Sequence, residues 1–308
     1  MEFFRKVTNI DFLRIRMVTA IISAVLVIAS CVTVAVKGIN WGLDFTGGII
    51  VELGYKQDAP LAPIREKLHS SSYHDAVVQS FGSPKEVVIR LAPRAGVKEQ
   101  EVANDIIKVL TTDGSEVELR RVDAIGAQVG RELATQGALA IVIAMFAIMV
   151  YIAMRFERRF AISAIVALAH DPIIIVGIFS FFSIEFDLTT LAAMLAVIGY
   201  SLNDTIVVFD RVKENFIKLR KTSTMDVVNI SINQTLSRTI MTSGLTLLVV
   251  IALLIYGGPT LFGFSLALLI GIIVGTYSSI YIAGACAIML GLKRSDLLPK
   301  KYELDHLP

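Results

Sequence analysis

Six runs of this chain are apolar over the length needed to cross a bilayer: residues 17–36, 134–154, 160–182, 188–209, 239–256 and 261–292. In hydrocarbon every backbone N–H and C=O must find its partner inside the segment, so such runs become helices. The chain is therefore expected to form an α-helical membrane bundle of six transmembrane helices. Bulk composition agrees. Of the 308 residues, 55% are hydrophobic, and the mean hydropathy of +0.68 is too high for a soluble domain of this size. The net charge of +2 implies no nucleic-acid partner. Cys31 and Cys286 both fall in apolar runs, which argues against a disulfide framework and a thiolate metal site.

Residues 1–16 are short and basic, with Arg5, Lys6, Arg14 and Arg16. The first apolar run competes with a cleaved secretory signal, but its core is long for one and no clear A-x-A site follows. A lipid-attachment box at Ile28-Ala29-Ser30-Cys31 is the other competitor, and the apolar run continues past it. The reading taken is a retained first span, with residues 1–36 forming the cytoplasmic N-terminus and that span.

Residues 37–133 differ in kind, with turn residues between short patterned runs. Residues 49–55, 75–81, 85–91 and 115–122 read as strands, and 60–71 and 97–110 as helices. The order βαββαβ is that of a small α+β ferredoxin-like domain. His69 and His74 lack a third ligand and read as surface histidines. Residues 134–292 carry spans two to six, and 293–308 a polar tail. A polar, basic stretch at 210–238 is expected to hold an amphipathic helix over 225–236.

Basic residues fill the N-terminus, residues 155–159, residues 210–238 and the tail, while the turns at 183–187 and 257–259 have none. The positive-inside rule then puts both termini in the cytoplasm and the α+β domain outside, in the periplasm of a bacterial inner membrane. In the last span, Gly263, Ala267, Gly271, Gly275, Ser279, Ala283, Ala287 and Gly291 are four apart. They form a close-packing face for a neighbour inside or outside the chain.

Polar groups interrupt the spans. Asp204 lies in Gly199-Tyr200-Ser201-Leu202-Asn203-Asp204-Thr205, at a depth where a carboxylate costs upward of about 2.5 kcal/mol. Ala196, Tyr200, Asn203 and Asp204 share a helix face, which should point away from lipid. Asp171 follows His170 in the third span, roughly 16 Å from its cytoplasmic start at 1.5 Å per residue. Arg238 stands at the mouth of the fifth span. Acids and a base at overlapping depth suit a proton relay. Each has a plainer reading: Asp204 as helix glue, Arg238 as a snorkelling anchor, Asp171 as the support of a proline kink, His170 as a packing residue.

With these motifs in view, the sequence resembles the SecF family, the smaller half of the bacterial SecD–SecF protein-export complex. The resemblance covers essentially the whole chain. It is carried by Trp41-Gly42-Leu43-Asp44-Phe45-Thr46-Gly47-Gly48, by Gly126, Val129, Gly130, Glu132 and Leu133, and by Ala169-His170-Asp171. Gly199 to Thr205, Val207 to Arg211, and Ser231 to Thr239 complete it. It implies membership of the resistance-nodulation-division superfamily, six spans pairing with six of a separate SecD chain, and use of the proton-motive force to pull preproteins outward from the SecYEG channel. By motif match, Asp204 takes the proton-carrying position and Arg238 that of its partner, with Asn203 beside them. Asp171 and His170 take an auxiliary role.

No enzymatic constellation, cofactor or metal site is expected; the proton is the coupling ion. The partners expected are SecD, SecYEG, preproteins and the lipid bilayer. Asp44, Phe45, Thr46, Gly47 and Gly48 read as a structural turn, with substrate contact as the competing reading; Gly126 and Gly130 are motif positions of the same structural kind. Two rival functions stay open: a proton-coupled exporter of small molecules, and a structural subunit that carries no protons.

Overall fold

The computed structural model of the protein describes residues 8–93, 98–112 and 116–292. Arg5, Lys6, the polar tail and the expected starts of the second domain helix and last strand lie outside the described residues. Six helical segments are long and apolar enough to cross a membrane: Phe12–Lys37, Ala127–Arg155, Arg158–Phe181, Leu188–Lys218, Thr224–Tyr256 and Thr260–Met289. Their main helices are α1 (Arg16–Lys37), α5 (Ala127–Arg155), α6 (Arg158–Phe181), α7 (Leu188–Lys218), α8 (Thr224–Tyr256) and α9 (Gly258–Tyr277). The sixth span continues from α9 through a π-helical segment, Ser278–Ala283, into α10 (Gly284–Met289). In the isolated chain α6 and α7 are about half buried, whereas α1, α5 and α8 expose most of their apolar surface.

Between α1 and α5 lie α2 (Leu43–Thr46), β1 (Gly48–Tyr55), α3 (Leu61–His69), β2 (Val77–Phe81), β3 (Ser83–Leu91), α4 (Glu99–Thr111) and β4 (Val117–Ile125). The four strands form one antiparallel sheet in the order β2-β3-β1-β4. Strand alternation assigns the two faces. Ile49, Val51 and Leu53 of β1 and Val87, Ile89 and Leu91 of β3 join Ile64 and Leu68 of α3 and Val102, Ile106 and Leu110 of α4 in one core. The opposite face carries Ile50, Glu52, Val88 and Arg90. With Glu185, Asp187 and Thr260 of the bundle it lines a groove of about 470 Å³. An ion pair from Arg90 to Glu185 ties sheet to bundle.

Two expectations are corrected here. Residues 225–236 do not form a separate amphipathic helix; they are the first turns of α8, continuous with the fifth span. The stretch is amphipathic, but its apolar face, with Val227, Val228 and Ile232, packs on the bundle core and not on a lipid surface. Likewise α7 runs nine residues past the expected end of the fourth span, to Lys218. No Gly or Pro breaks it there, Val212 and Phe216 are buried, and Glu214 pairs with Arg211 and Lys218 one turn away on either side. The open choice over the small-residue face is also resolved. A Cβ on Gly263, Gly271 or Gly275 would meet Thr190, Val197 or Ser201, all on α7 of the same chain.

Candidate functional site

The motif around Gly47 and Gly48 is a joint between sheet and bundle. The chain leaves α1 through Gly38, at φ 73°. Asn40 and Gly42 then bond the backbone of Phe186 on both sides, with Phe186 N–H to the Asn40 carbonyl at 2.8 Å and Gly42 N–H to the Phe186 carbonyl at 2.9 Å. Phe45 is buried against Trp41 and Phe186. The Asp44 carboxylate accepts from Leu188 N–H at 2.9 Å, beside the Asp187 carboxylate that accepts from Thr190 N–H at 2.7 Å. Two acids thus cap the first turn of α7, where free N–H groups favour negative charge. The Thr46 hydroxyl donates to the carbonyls of Gly42 and Gly47. Gly47 and Gly130 meet backbone to backbone: a Cβ on Gly130 would lie 2.7 Å from Gly47 N, and one on Gly47 would lie 2.8 Å from Ala127 Cα. Gly126 precedes α5 with open space around it, and nothing in the structure explains its lack of a side chain.

Asp204 sits about 24 Å along α7 from its Leu188 end, at 1.5 Å per residue. It is buried, and its Oδ2 has no hydrogen-bond partner among the described residues. Arg238 on α8 is the basic group that acts on it through space, but the two are not in ion-pair contact, so the expected direct pairing is absent. The shared face is also split. Asp204 turns inward and Tyr200 is half-buried, whereas Ala196 and Asn203 are exposed on the bundle surface, as is Arg238 on α8. In the isolated chain that face therefore does not point wholly away from lipid, because α8, which packs on both α9 and α7, leaves part of α7 uncovered.

Asp171 has a different environment. It is 0% exposed. Its Oδ2 accepts from the Ser201 hydroxyl on α7 at 2.5 Å and from the Ser278 hydroxyl at 3.1 Å, where the π segment begins. Its Oδ1 lies 2.9 Å from His170 Nδ1. His170 Nε2 lies 3.2 Å from the Ser23 hydroxyl on α1, and Tyr277 is stacked beside the imidazole. The Tyr277 hydroxyl donates to the Thr19 carbonyl at 2.9 Å. A second chain links Tyr200, Ser243 and Thr276 at 3.2 and 2.8 Å.

The structure thus brings Asp171 and His170 together, leaves Asn203 and Arg238 at the surface, and buries Asp204 one turn of α7 from the Ser201 that bonds Asp171. Sequence reasoning missed Ser23, Tyr277 and Ser278, whose only signal is a polar residue inside an apolar run. The motif from Ser231 to Thr239 also acquires a structural part. Asn215 donates to Ser231 and Gln234, and the Asn233 side chain both accepts from Ile10 N–H and donates to the Ile10 carbonyl, each at 2.8 Å. Among the described residues no cluster of His, Cys, Asp and Glu could hold a metal ion.

Residues 105–293 match the family described as "Protein export membrane protein SecD/SecF, C-terminal", and residues 32–59 match the "SecD/SecF GG Motif". The chain is 50% identical over 296 residues to a protein translocase subunit SecF from Vibrio alginolyticus, covering 96% of this chain and 94% of that one. It is 48% identical over 294 residues to the SecF of Pseudomonas aeruginosa, covering 96% and 95%. Among solved structures it resembles SecDF of Thermus thermophilus, a translocon-associated membrane protein, with TM-score 0.84 and 34% identity; the match covers 92% of this chain and 39% of that longer one. A SecDF structure in a super-membrane-facing form gives TM-score 0.65 and 33% identity, covering 94% and 39%.

Proposed function

The chain belongs to the SecF branch of the SecD/SecF protein-export family, and on that premise we propose that it works with SecD to couple the proton-motive force to late translocation of preproteins from SecYEG. The observation that carries this reading is Asp204, a buried carboxylate inside a span with one oxygen unpartnered and the field of Arg238 upon it. An acid in that position is costly while ionised and is relieved by a proton, which is the property a proton carrier needs. In the cycle proposed, a proton reaching Asp204 neutralises it and removes its attraction to Arg238. The helices shift and the outer domain reorients; release to the cytoplasm resets the bundle. One elementary charge crossing 100 mV supplies about 2.3 kcal/mol, enough to bias such an equilibrium.

Partnership with SecD is supported by the polar groups that the isolated bundle leaves uncovered. Asn203 and Arg238 are exposed on spans, and exposed polar groups at that depth need protein cover. The SecDF chains that this one resembles are more than twice its length, which leaves room for such a partner. The distribution of basic loops supports cytoplasmic termini and a periplasmic domain in the inner membrane. The sheet order β2-β3-β1-β4 with both helices on one face supports the ferredoxin-like reading of that domain. The resistance-nodulation-division assignment follows from the family resemblance alone. No enzymatic activity and no cofactor are part of the proposal.

The test is Asp204→Asn in cells lacking the native protein, with export of a secreted reporter followed with and without a proton gradient, and with SecD co-purification as the assembly control. An assembled variant whose export ignores the gradient supports the reading. An assembled variant whose export still follows the gradient overturns it and leaves Asp204 a structural residue.

A further inference from the structure

We propose that Asp171 is a second proton-binding carboxylate, and that the start of the π segment at Ser278 is the element that responds to its proton. The inference deepens the proton-driven reading and rests on it. It begins from hydrogen-bond counting. A fully buried carboxylate needs donors, and Asp171 has hydroxyl donors from two other segments, Ser201 on α7 and Ser278, both on Oδ2. His170 supplies a ring nitrogen to Oδ1. This set satisfies the ionised form, which only accepts.

Adding one proton to Oδ2 changes the count. The carboxyl O–H must now be donated, and the hydroxyls of Ser201 and Ser278 are its available acceptors. At least one of them must turn from donor to acceptor. Ser278 has a second place for its own proton, since its hydroxyl already lies 3.1 Å from the Gly275 carbonyl. Protonation of Asp171 therefore shifts the Ser278 hydroxyl towards the backbone of the preceding turn.

That turn is where the sixth span passes from α-helix to π-helix. π turns are rare and occur often at functional sites. Three consecutive residues there reach four other spans. Thr276 bonds Ser243 of α8, which bonds Tyr200 of α7. Tyr277 bonds the Thr19 carbonyl of α1 and stacks on His170 of α6. Ser278 bonds Asp171 of α6. Ser201 is one turn of α7 from Asp204, about 4.5 Å along the axis, so the two acids share a helix. The ionisable group in contact with Asp171 is His170 on its own helix; Tyr277 of α9 is stacked on that imidazole, and Asp204 lies one turn beyond Ser201 along α7. Among the described residues no Lys or Arg is in ion-pair contact with Asp171.

The experiment is infrared difference spectroscopy of the full chain purified with SecD, titrated with acid and base. The carbonyl stretch of a protonated carboxyl reports each titrating acid. The expected result is a band that persists in Asp204→Asn, vanishes in Asp171→Asn, and in Ser278→Ala shifts in frequency, because a hydrogen-bond partner of the carboxyl is gone. A band unchanged in assembled Asp171→Asn overturns the proposal. So does a Ser278→Ala band that coincides in frequency with wild type, which decides the matter even where Asp171→Asn fails to assemble. The two proposals fail separately. Loss of the Asp171 band assignment leaves the export test of Asp204 untouched, and gradient-independent function with a titrating Asp171 refutes only the coupling through Asp204.

Discussion

Gly47→Ala is expected to break the joint between sheet and bundle, and Gly38→Ala separates backbone strain from packing in that effect. Gly47 has φ 67° and ψ 169°, Gly38 has φ 73° and ψ −170°. Both lie in a region that is essentially restricted to glycine, where another residue costs about 1–3 kcal/mol. Their surroundings differ. A Cβ on Gly38 would meet nothing within 4 Å, whereas on Gly47 it would lie 2.8 Å from Ala127 Cα and 3.0 Å from both Ala127 N and the Ile125 carbonyl oxygen. Those atoms are backbone and cannot rotate away, so overpacking adds about 1–3 kcal/mol.

Gly47→Ala should thus exceed Gly38→Ala by at least about 1 kcal/mol, roughly a fivefold change in the local opening equilibrium. Hydrogen exchange of the β1 and α5 amides in the full chain reads it. The prediction is faster exchange at Gly48 to Val51 and at the start of α5 in Gly47→Ala, with a smaller effect in Gly38→Ala. Equal effects from both variants would refute the view that the paired glycines serve a close backbone contact. Gly126→Ala, with φ −61° and no neighbour within 4 Å, should change stability by no more than about 0.5 kcal/mol.

Three further outcomes are expected. Gly271→Ala would place its Cβ 2.3 Å from a methyl of Val197, so thermal stability in detergent should fall by about 1–3 kcal/mol and be largely restored by adding Val197→Ala. Burial pushes the Tyr55 hydroxyl up to about 12. The fold favours its neutral form, so its contribution to domain stability is complete below the ordinary value near 10 and is lost as pH rises from 10 to 12. The tyrosinate difference spectrum between wild type and Tyr55→Phe should appear only near the upper end of that window; appearance near pH 10 contradicts the burial. Asn233→Ala removes its two hydrogen bonds to Ile10 and, combined with Asn229→Ala, which removes the remaining ties to Ile10 and Phe12, should free the segment before α1, seen as faster proteolysis there in the double variant than in either single one while α8 stays protected.

Much of this protein was legible one segment at a time. Apolar length alone marked the six spans, because hydrocarbon leaves a backbone no alternative to local hydrogen bonding. Alternation and turn residues marked the four strands and two domain helices, because a strand and a helix bury every second and every third or fourth residue. Asp204, Asp171 and Arg238 stood out because charge inside such a run is costly wherever its partners lie. What lay beyond the sequence was which group each of them meets. The Asp171 cluster joins Ser23, Ser201 and Ser278, far apart in the chain, and a serine in a span looks the same whether it bonds its own helix or a neighbour's acid. The separation of Asp204 from Arg238, the fusion of the amphipathic stretch into α8 and the seating of the small-residue face on α7 were decided the same way. Helix-to-helix contacts depend on how whole surfaces pack, and that is a property of the folded bundle, not of any one segment.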